Sequence, residues 1–388
     1  MAHTASFYCK RLVWRSLRLS LLGGTILASA AAYPAGTSVK IGVISPVTGP
    51  VALDGESFRN GAMLAAKQIN AAGGVLDTTV ELVVEDGECK PNISANAAQK
   101  LLVRDQVPVL VGAHCSPATA AVMPIVERQK VPFVTGISSA PSLTQIKHDY
   151  FFRLPPTEEI TAKAAVPFYL QRLAFKSVAM LALNDEWGRQ AAEVNAALLQ
   201  ARGVKVVSTD YFLAGESEFG ATLTAMKAAN PEAIFVAANT REAILIAKKV
   251  EELGFKQQRI GVGAWPTNTF ITRAGTAGAG WTVISQYVPG IETERNKKFV
   301  EAYQQAYQSL PDKYAVSGYD AITVVADAIK RAGKPDPAKI RDALEKSDVD
   351  VVQGHVAFDD KHQAYTNAVI SENQGGKSNV LAVVTTKP

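Results

Sequence analysis

Two doubly wound parallel α/β lobes are predicted for this chain of 388 residues, on three observations. Short apolar runs alternate with stretches of helical spacing from Val39 to Gln286, which is the pattern of a parallel sheet covered by helices on both faces. The alternation lapses once, at the extended segment Phe151-Phe-Arg-Leu-Pro-Pro156, and then restarts. Third, Val109-Leu-Val-Gly-Ala-His-Cys-Ser-Pro117 is echoed by Val131-Pro-Phe-Val-Thr-Gly-Ile-Ser-Ser-Ala-Pro141. Each begins as a strand apolar enough to be buried on both faces and breaks at a glycine into small hydroxyl residues before a proline. Ser116 reads as an N-cap with Pro117 at the first helical position. Two helix ends leaving neighbouring parallel strands point their unpaired N–H groups at one sheet edge, where open α/β sheets bind ligands. That edge suits a carboxylate.

The elements follow in order. Residues 1–32 read as a secretory signal peptide: Lys10, Arg11, Arg15 and Arg18 without an acid, an apolar core from Leu19 to Leu27, and Ala28-Ser-Ala30 before the cut, after Ala30 or Ala32. The apolar core is shorter than the roughly 18 residues that a membrane span needs. Export is expected. Without the leader the 40 basic residues fall to 36, equal to the 36 acids. A neutral chain gives no reason to expect nucleic acid or an anionic membrane as partner. Cys9 leaves with the leader, so Cys89 and Cys115 remain, either as two free thiols or, as exported pairs tend, as a disulfide.

Val39–Ser45 is the first strand, with a helix from about Gly55 to Asn70 on the spacing of Phe58, Ala62, Ala65 and Ile69. Val80–Glu85 and the helix Ser94–Arg104 come next, then the two central strands with a helix from Pro117 to Gln129 between them. In the second half, strands at Ser177–Leu183, Val204–Tyr211, Ala233–Ala237 and Arg259–Gly263 are each preceded by a helix, at 158–171, 188–202, 218–229 and 240–253, and Trp281–Gln286 adds a strand. Helices near 294–309 and 317–331, and one from Pro337, follow. Gln353–Asp360 is a short strand with a turn, and Asn367–Ser371 with Val380–Thr385 is a terminal hairpin around Gly375-Gly376.

Several motifs now carry a family. Lys40-Ile-Gly-Val-Ile-Ser-Pro-Val-Thr-Gly-Pro50, Ala66-Lys-Gln-Ile-Asn-Ala-Ala-Gly-Gly74, Glu81-Leu-Val-Val-Glu-Asp86, Ala228-Ala-Asn-Pro-Glu-Ala-Ile-Phe235 and Glu251-Glu-Leu-Gly254 stand in order. The chain resembles the type I periplasmic solute-binding proteins, and within them the leucine/isoleucine/valine-binding group of ABC importers. The resemblance implies two Rossmann-like lobes joined by three crossing segments, 38–157 plus 287–362 and 158–286 plus 363–388, closing like a hinged clam on a small ligand. It also implies a Cys89–Cys115 disulfide and an ABC permease in the inner membrane as partner. Carried over residue by residue, the amino-acid site is Ser116, the backbone of Ile137, and Ser139 on the carboxylate, with Ser138 beside them. Trp187 stands where tyrosine is usual, across the cleft, and Tyr314 falls near a family aromatic.

Two departures concern the ligand. The family's acid for the ammonium group is missing from Gly261-Val-Gly-Ala-Trp-Pro266, and an aromatic is replaced by Asn239. A buried ammonium needs a counter-charge, for which Asp54, Asp185 and Glu186 are the candidates. A hydrophobic amino acid is the family's default ligand. A flat aromatic or an aliphatic acid between Trp187 and Trp265 is the alternative.

The alternative class is a serine hydrolase: Ser138 stands in a near nucleophile elbow, with Asp320 and His355 following in hydrolase order. Ala140 stands where that motif needs glycine. His114 beside Cys115 has the composition of a metal or catalytic pair, but a bridged cysteine is no nucleophile. Gly261-Val-Gly263 lacks the third glycine of a dinucleotide site. There is no Walker A, H-E-x-x-H or C-x-x-C motif, so no catalytic residue, cofactor or metal is expected. A monomeric shuttle is expected, since no membrane span follows the lobes.

Overall fold

The computed structural model describes residues 38–386; the expected signal peptide lies outside them. Strands β1 (Ser38–Ser45), β2 (Thr79–Asp86), β3 (Leu110–Val111), β4 (Phe133–Thr135) and β5 (Phe151–Arg153) form an all-parallel sheet in the order β2-β1-β3-β4-β5. Strands β6 (Ser177–Leu183), β7 (Lys205–Phe212), β8 (Ala233–Ala238), β9 (Gln258–Gly263) and β10 (Trp281–Ser285) form the parallel part of a second sheet. A two-stranded ribbon, β11 (Asp348–Val351) with β12 (Gly354–Ala357), precedes the hairpin β13 (Asn367–Gln374) and β14 (Lys377–Thr385). The hairpin adds antiparallel to β10, giving the order β14-β13-β10-β9-β8-β6-β7.

Eleven α-helices are described: α1 (Ala52–Ala71), α2 (Pro91–Gln99), α3 (Ser116–Gln129), α4 (Glu158–Leu173), α5 (Glu186–Gln200), α6 (Gly220–Ala228), α7 (Thr240–Glu252), α8 (Asn268–Ala274), α9 (Glu294–Tyr307), α10 (Lys313–Ala332) and α11 (Pro337–Glu345). Both sheets are buried on two faces. In the first, Ile41, Val43, Val109 and Val111 face α1 and α10, while Ile44, Leu110 and Phe133 face α2 and α3. In the second, Leu181 and Val236 face one cluster and Met180 and Phe235 the other.

Helix α10 returns from the far part of the chain to lie along α1. The approach is close enough that a Cβ on Gly61 would stand 1.8 Å from Ala315 O, and one on Gly318 2.1 Å from Phe58 O. Only glycine permits that. The start of this helix differs from expectation: it begins at Lys313, not Ser317, because Asp312 Oδ1 accepts from Tyr314 N and Ala315 N at 2.9 and 3.0 Å. The cap thereby brings Lys313 and Tyr314 into helical order at the edge of the first sheet. Helix α8 and strand β11 were not anticipated either.

Candidate functional site

Strand order reverses twice. In the first sheet β1 has β2 on one side and β3 on the other, and in the second β6 lies between β7 and β8. The loops leaving the carboxyl ends of β1, β3, β6 and β8 therefore splay apart at two switch points, the usual crevice of open α/β sheets. Asp54, Ser116, Trp187 and Asn239 sit on those four loops or the helix starts they lead into. A small cavity of about 30 Å³ lies between them, lined by His114, Cys115, Ser116, Ile137, Ser138, Ser139, Asp185, Trp187, Asn239, Lys313 and Tyr314. A larger depression, about 760 Å³, borders the crossing segments near Thr144, Lys163, Asp359 and Tyr365, away from these loops.

The first-lobe wall is built by the two echoed loops. Cys115 is bridged to Cys89, which ties the loop after β2 to the loop after β3. Ser116 is the first residue of α3 rather than its cap, a position taken by Cys115, so its hydroxyl is not spent on the helix. Instead it accepts from Ala140 N at 3.3 Å, holding the second loop against the first. Ser138 Oγ shares a 2.7 Å bond with Thr119 Oγ1 and donates to His114 O at 3.0 Å. Ile137 N makes only a long bond, 3.4 Å, to Thr135 Oγ1.

Ser139 Oγ donates to Glu158 Oε1 at 2.7 Å, and Trp187 Nε1 donates to the same oxygen at 2.6 Å. Glu158 thus links a first-lobe loop to a second-lobe indole. Asp185 caps α5 through Gly188 N at 2.8 Å, and burial pushes its carboxyl up to about 6. Asn239 stands in the cap position of α7 without a side-chain cap bond. Thr240 N approaches Asp54 Oδ2 at 3.5 Å across the cleft. Asp54 is buried, and desolvation raises its carboxyl from 3.8 to about 7 against the pull of Thr240 and Lys313.

On α10, Tyr314 stacks on His114 with centroids 5.1 Å apart, and the Lys313 ammonium lies 4.8 Å from the Tyr314 ring. Desolvation, with Lys313 and Arg59 nearby, drives the His114 imidazole down to about 3, so it is neutral at pH 7. His114 Nδ1 has no hydrogen-bond partner among the described residues. Burial also lowers the Lys313 ammonium, against the pull of Glu158, Asp54 and Asp312.

The structure corrects one expected ligand contact. Trp265 is fully buried in the second-lobe core, stacked on Trp281 at 3.8 Å with Nε1 donating to Val236 O. Gly261 leaves room for its indole, since a Cβ there would stand 2.4 Å from the ring. By contrast, the Trp187 ring lies against Gly263 at the cavity. The hydrolase trio does not converge: Asp320 accepts from Val352 N and Gln353 N, and the exposed His355 pairs with Asp348 and Asp350. Glu158 and Lys313 escaped sequence reasoning. The signal for Glu158 was its position directly after the Pro155-Pro156 crossing, since a crossing segment borders the cleft. Among the described residues no cluster of His, Cys, Asp and Glu fits a metal ion, and no helix is long and apolar enough to cross a membrane.

A cleft between two doubly wound lobes, with hydroxyls and helix ends on one side and aromatic and polar groups on the other, defines a two-lobed solute receptor. The chain belongs to the periplasmic binding proteins, whose family profile matches residues 38–377. It is 29% identical over 347 residues to the leucine-, isoleucine-, valine-, threonine- and alanine-binding protein of Pseudomonas aeruginosa, covering 89% of this chain and 92% of that one. The leucine-binding protein LivK of Thermotoga maritima superposes with a TM-score of 0.82 at 27% identity, over 89% of this chain and 99% of the other. A solute-binding protein of Rhodopseudomonas palustris in complex with benzoate gives a TM-score of 0.83 over 90% and 97% of the two chains, and at 21% identity it speaks for the fold alone.

Proposed function

We propose that the chain is the periplasmic substrate-binding component of an ABC importer and captures a small carboxylate, a branched-chain or other hydrophobic amino acid, by closure of its two lobes. The observation that carries this is the cavity itself. Ser116, Ile137 and Ser139 line it from the first sheet, Trp187 and Asn239 line it from the second, and the N-terminus of α3 opens onto it. The ligand's carboxylate docks on Ser116, Ile137 and Ser139, with Ser138 bracing that loop. The second lobe then closes Trp187 and Asn239 over the rest, and Tyr314 completes the wall. The ligands for which the relatives are named, branched-chain amino acids among them, support this class. The moving bodies are 38–157 plus 287–362 and 158–286 plus 363–388. The leader directs export, an inner-membrane permease receives the closed form, and the chain works as a monomer that performs no chemistry on its ligand.

An aromatic or aliphatic carboxylate without an amino group is the second reading, favoured by the lack of an acid in Gly261–Pro266 and the flat Trp187 indole at the cavity. Titration calorimetry on protein unfolded, stripped and refolded, with leucine, phenylalanine and 4-hydroxybenzoate, tests both. Binding of either amino acid supports the first reading, and binding of 4-hydroxybenzoate alone supports the second. No heat from any of the three retires the ligand class.

A further inference from the structure

An α-amino acid brings an ammonium group as well as a carboxylate, and a buried ammonium needs an acid beside it. The segment Gly261–Pro266 offers none, and its Trp265 points into the core. Asp185 lines the cavity but is engaged in capping α5 through Gly188 N, which leaves Glu158, held by two cavity residues, to fill that role. Glu158 is 6% exposed, and its Oε1 accepts from Ser139 and Trp187, two side chains that line the cavity. Among the described residues no hydrogen bond reaches Oε2, and no cation lies within bonding distance of the carboxylate. Lys313 acts on it only through space.

An acid at the start of a helix also favours the helix dipole, which would need no ligand. Glu159, the next residue, already meets that need from the surface, where it pairs with Lys163. Burial of Glu158 therefore calls for another reason. Its backbone is fixed as well, since Glu158 N donates to Ser139 O at 2.9 Å. The acid is thus held at a set distance from a hydroxyl proposed to grip the ligand.

We propose that Glu158 receives the α-ammonium group of the ligand and so selects amino acids over the corresponding carboxylates that lack it, an inference that rests on the amino-acid reading above. Asp54, facing Thr240, Lys313, Tyr314 and Asp312, is met across the cleft by Thr240 N and shares the pull on Lys313 with Glu158 and Asp312.

The test is calorimetric titration of the full chain with leucine and with 4-methylpentanoate, its analogue without the amino group, on wild type, Glu158→Gln and Glu158→Asp. Gln keeps the shape and one acceptor but not the charge. Wild type is expected to prefer leucine. Glu158→Gln is expected to lose leucine affinity roughly 30-fold, the loss of one charged hydrogen bond, with 4-methylpentanoate unchanged or tighter. Glu158→Asp, which keeps the charge, retains the preference for leucine and serves alone if the Gln variant does not fold. Equal losses for both compounds would make Glu158 a brace between lobes and overturn the proposal. So would wild-type protein that binds 4-methylpentanoate as tightly as leucine, an outcome that leaves the carboxylate cleft standing. Wild type that binds neither compound ends the amino-acid reading and this inference with it.

Discussion

Asp54→Asn gives a direct reading of how much stability the cleft gives up to keep an acid there. Burial raises the Asp54 carboxyl from 3.8 to about 7. At 1.36 kcal/mol per pH unit, that span corresponds to about 4 kcal/mol. The sign follows from proton binding. A carboxyl raised by folding holds its proton more tightly in the native state, so between about pH 4 and pH 7 the folded chain binds more protons than the unfolded one. Stability then falls as pH rises through that window and levels off above it. Asparagine has nearly the same shape and carries no charge. The variant is expected to match wild type at pH 4 and to exceed it by up to about 4 kcal/mol at pH 8. Urea denaturation midpoints every half pH unit from 4 to 8 measure the difference. Asp320, also pushed up to about 7, contributes the same slope to both proteins and cancels. Parallel curves for the two proteins would refute the reasoning.

Ser116→Ala is expected to weaken ligand binding by about 1–3 kcal/mol, read by calorimetry, because a pocket donor is lost and Ala140 N loses its acceptor. Trp265→Ala should cost about 3–5 kcal/mol of stability by opening a cavity against Trp281, with ligand affinity of the folded protein preserved. Replacing Cys89 and Cys115 by serine frees a loop of 26 residues, worth about 3.5 kcal/mol in the chain-entropy account. Denaturant midpoints of oxidised and double-serine protein give that number.

The fold was legible because parallel strands buried on both faces must be apolar throughout, so runs such as Val109–Val111 and Ala233–Ala237 stand out from the chain. Strand β11 was not, since Asp348-Val-Asp-Val351 is only four residues long and half of them are acids, on a surface ribbon. Loops at strand ends were equally easy to find, which brought Ser116, Ser139, Trp187 and Asn239 to the cavity. Which way a loop residue points is another matter. Trp187 and Trp265 both follow second-sheet strands, yet Gly261 has the space that draws Trp265 inward, and a glycine four residues back is not a signal a sequence offers by itself. Glu158 and Lys313 look like ordinary first-turn helix residues. Their meaning comes from chain returning to the cleft, Glu158 by the crossing after β5 and Lys313 by α10.

The contacts that hold the cleft shut are few and polar, which bears on how ligand acts. Ser142 N donates to Gln190 Oε1 at 3.1 Å and Ser142 Oγ donates to Glu186, both across the lobes, and Thr240 N reaches Asp54 at 3.5 Å. Bonds of this kind contribute about 1 kcal/mol each at most where water competes. The cavity they close over, about 30 Å³, has room for about one water. A leucine side chain therefore requires Trp187 and Glu158 to part before it docks. Ligand then biases closure only by what it gains in the closed form beyond the open one. In the proposed site the Ser116 hydroxyl belongs to the first lobe and is offered in either form, whereas Trp187 is brought to the first-lobe wall only on closing. Trp187→Ala is expected to keep docking on the first lobe while losing most of the ligand-induced compaction, with roughly a 10-fold weaker affinity. Small-angle scattering with and without leucine measures it. A variant that still compacts fully on leucine would move the closing contact away from Trp187.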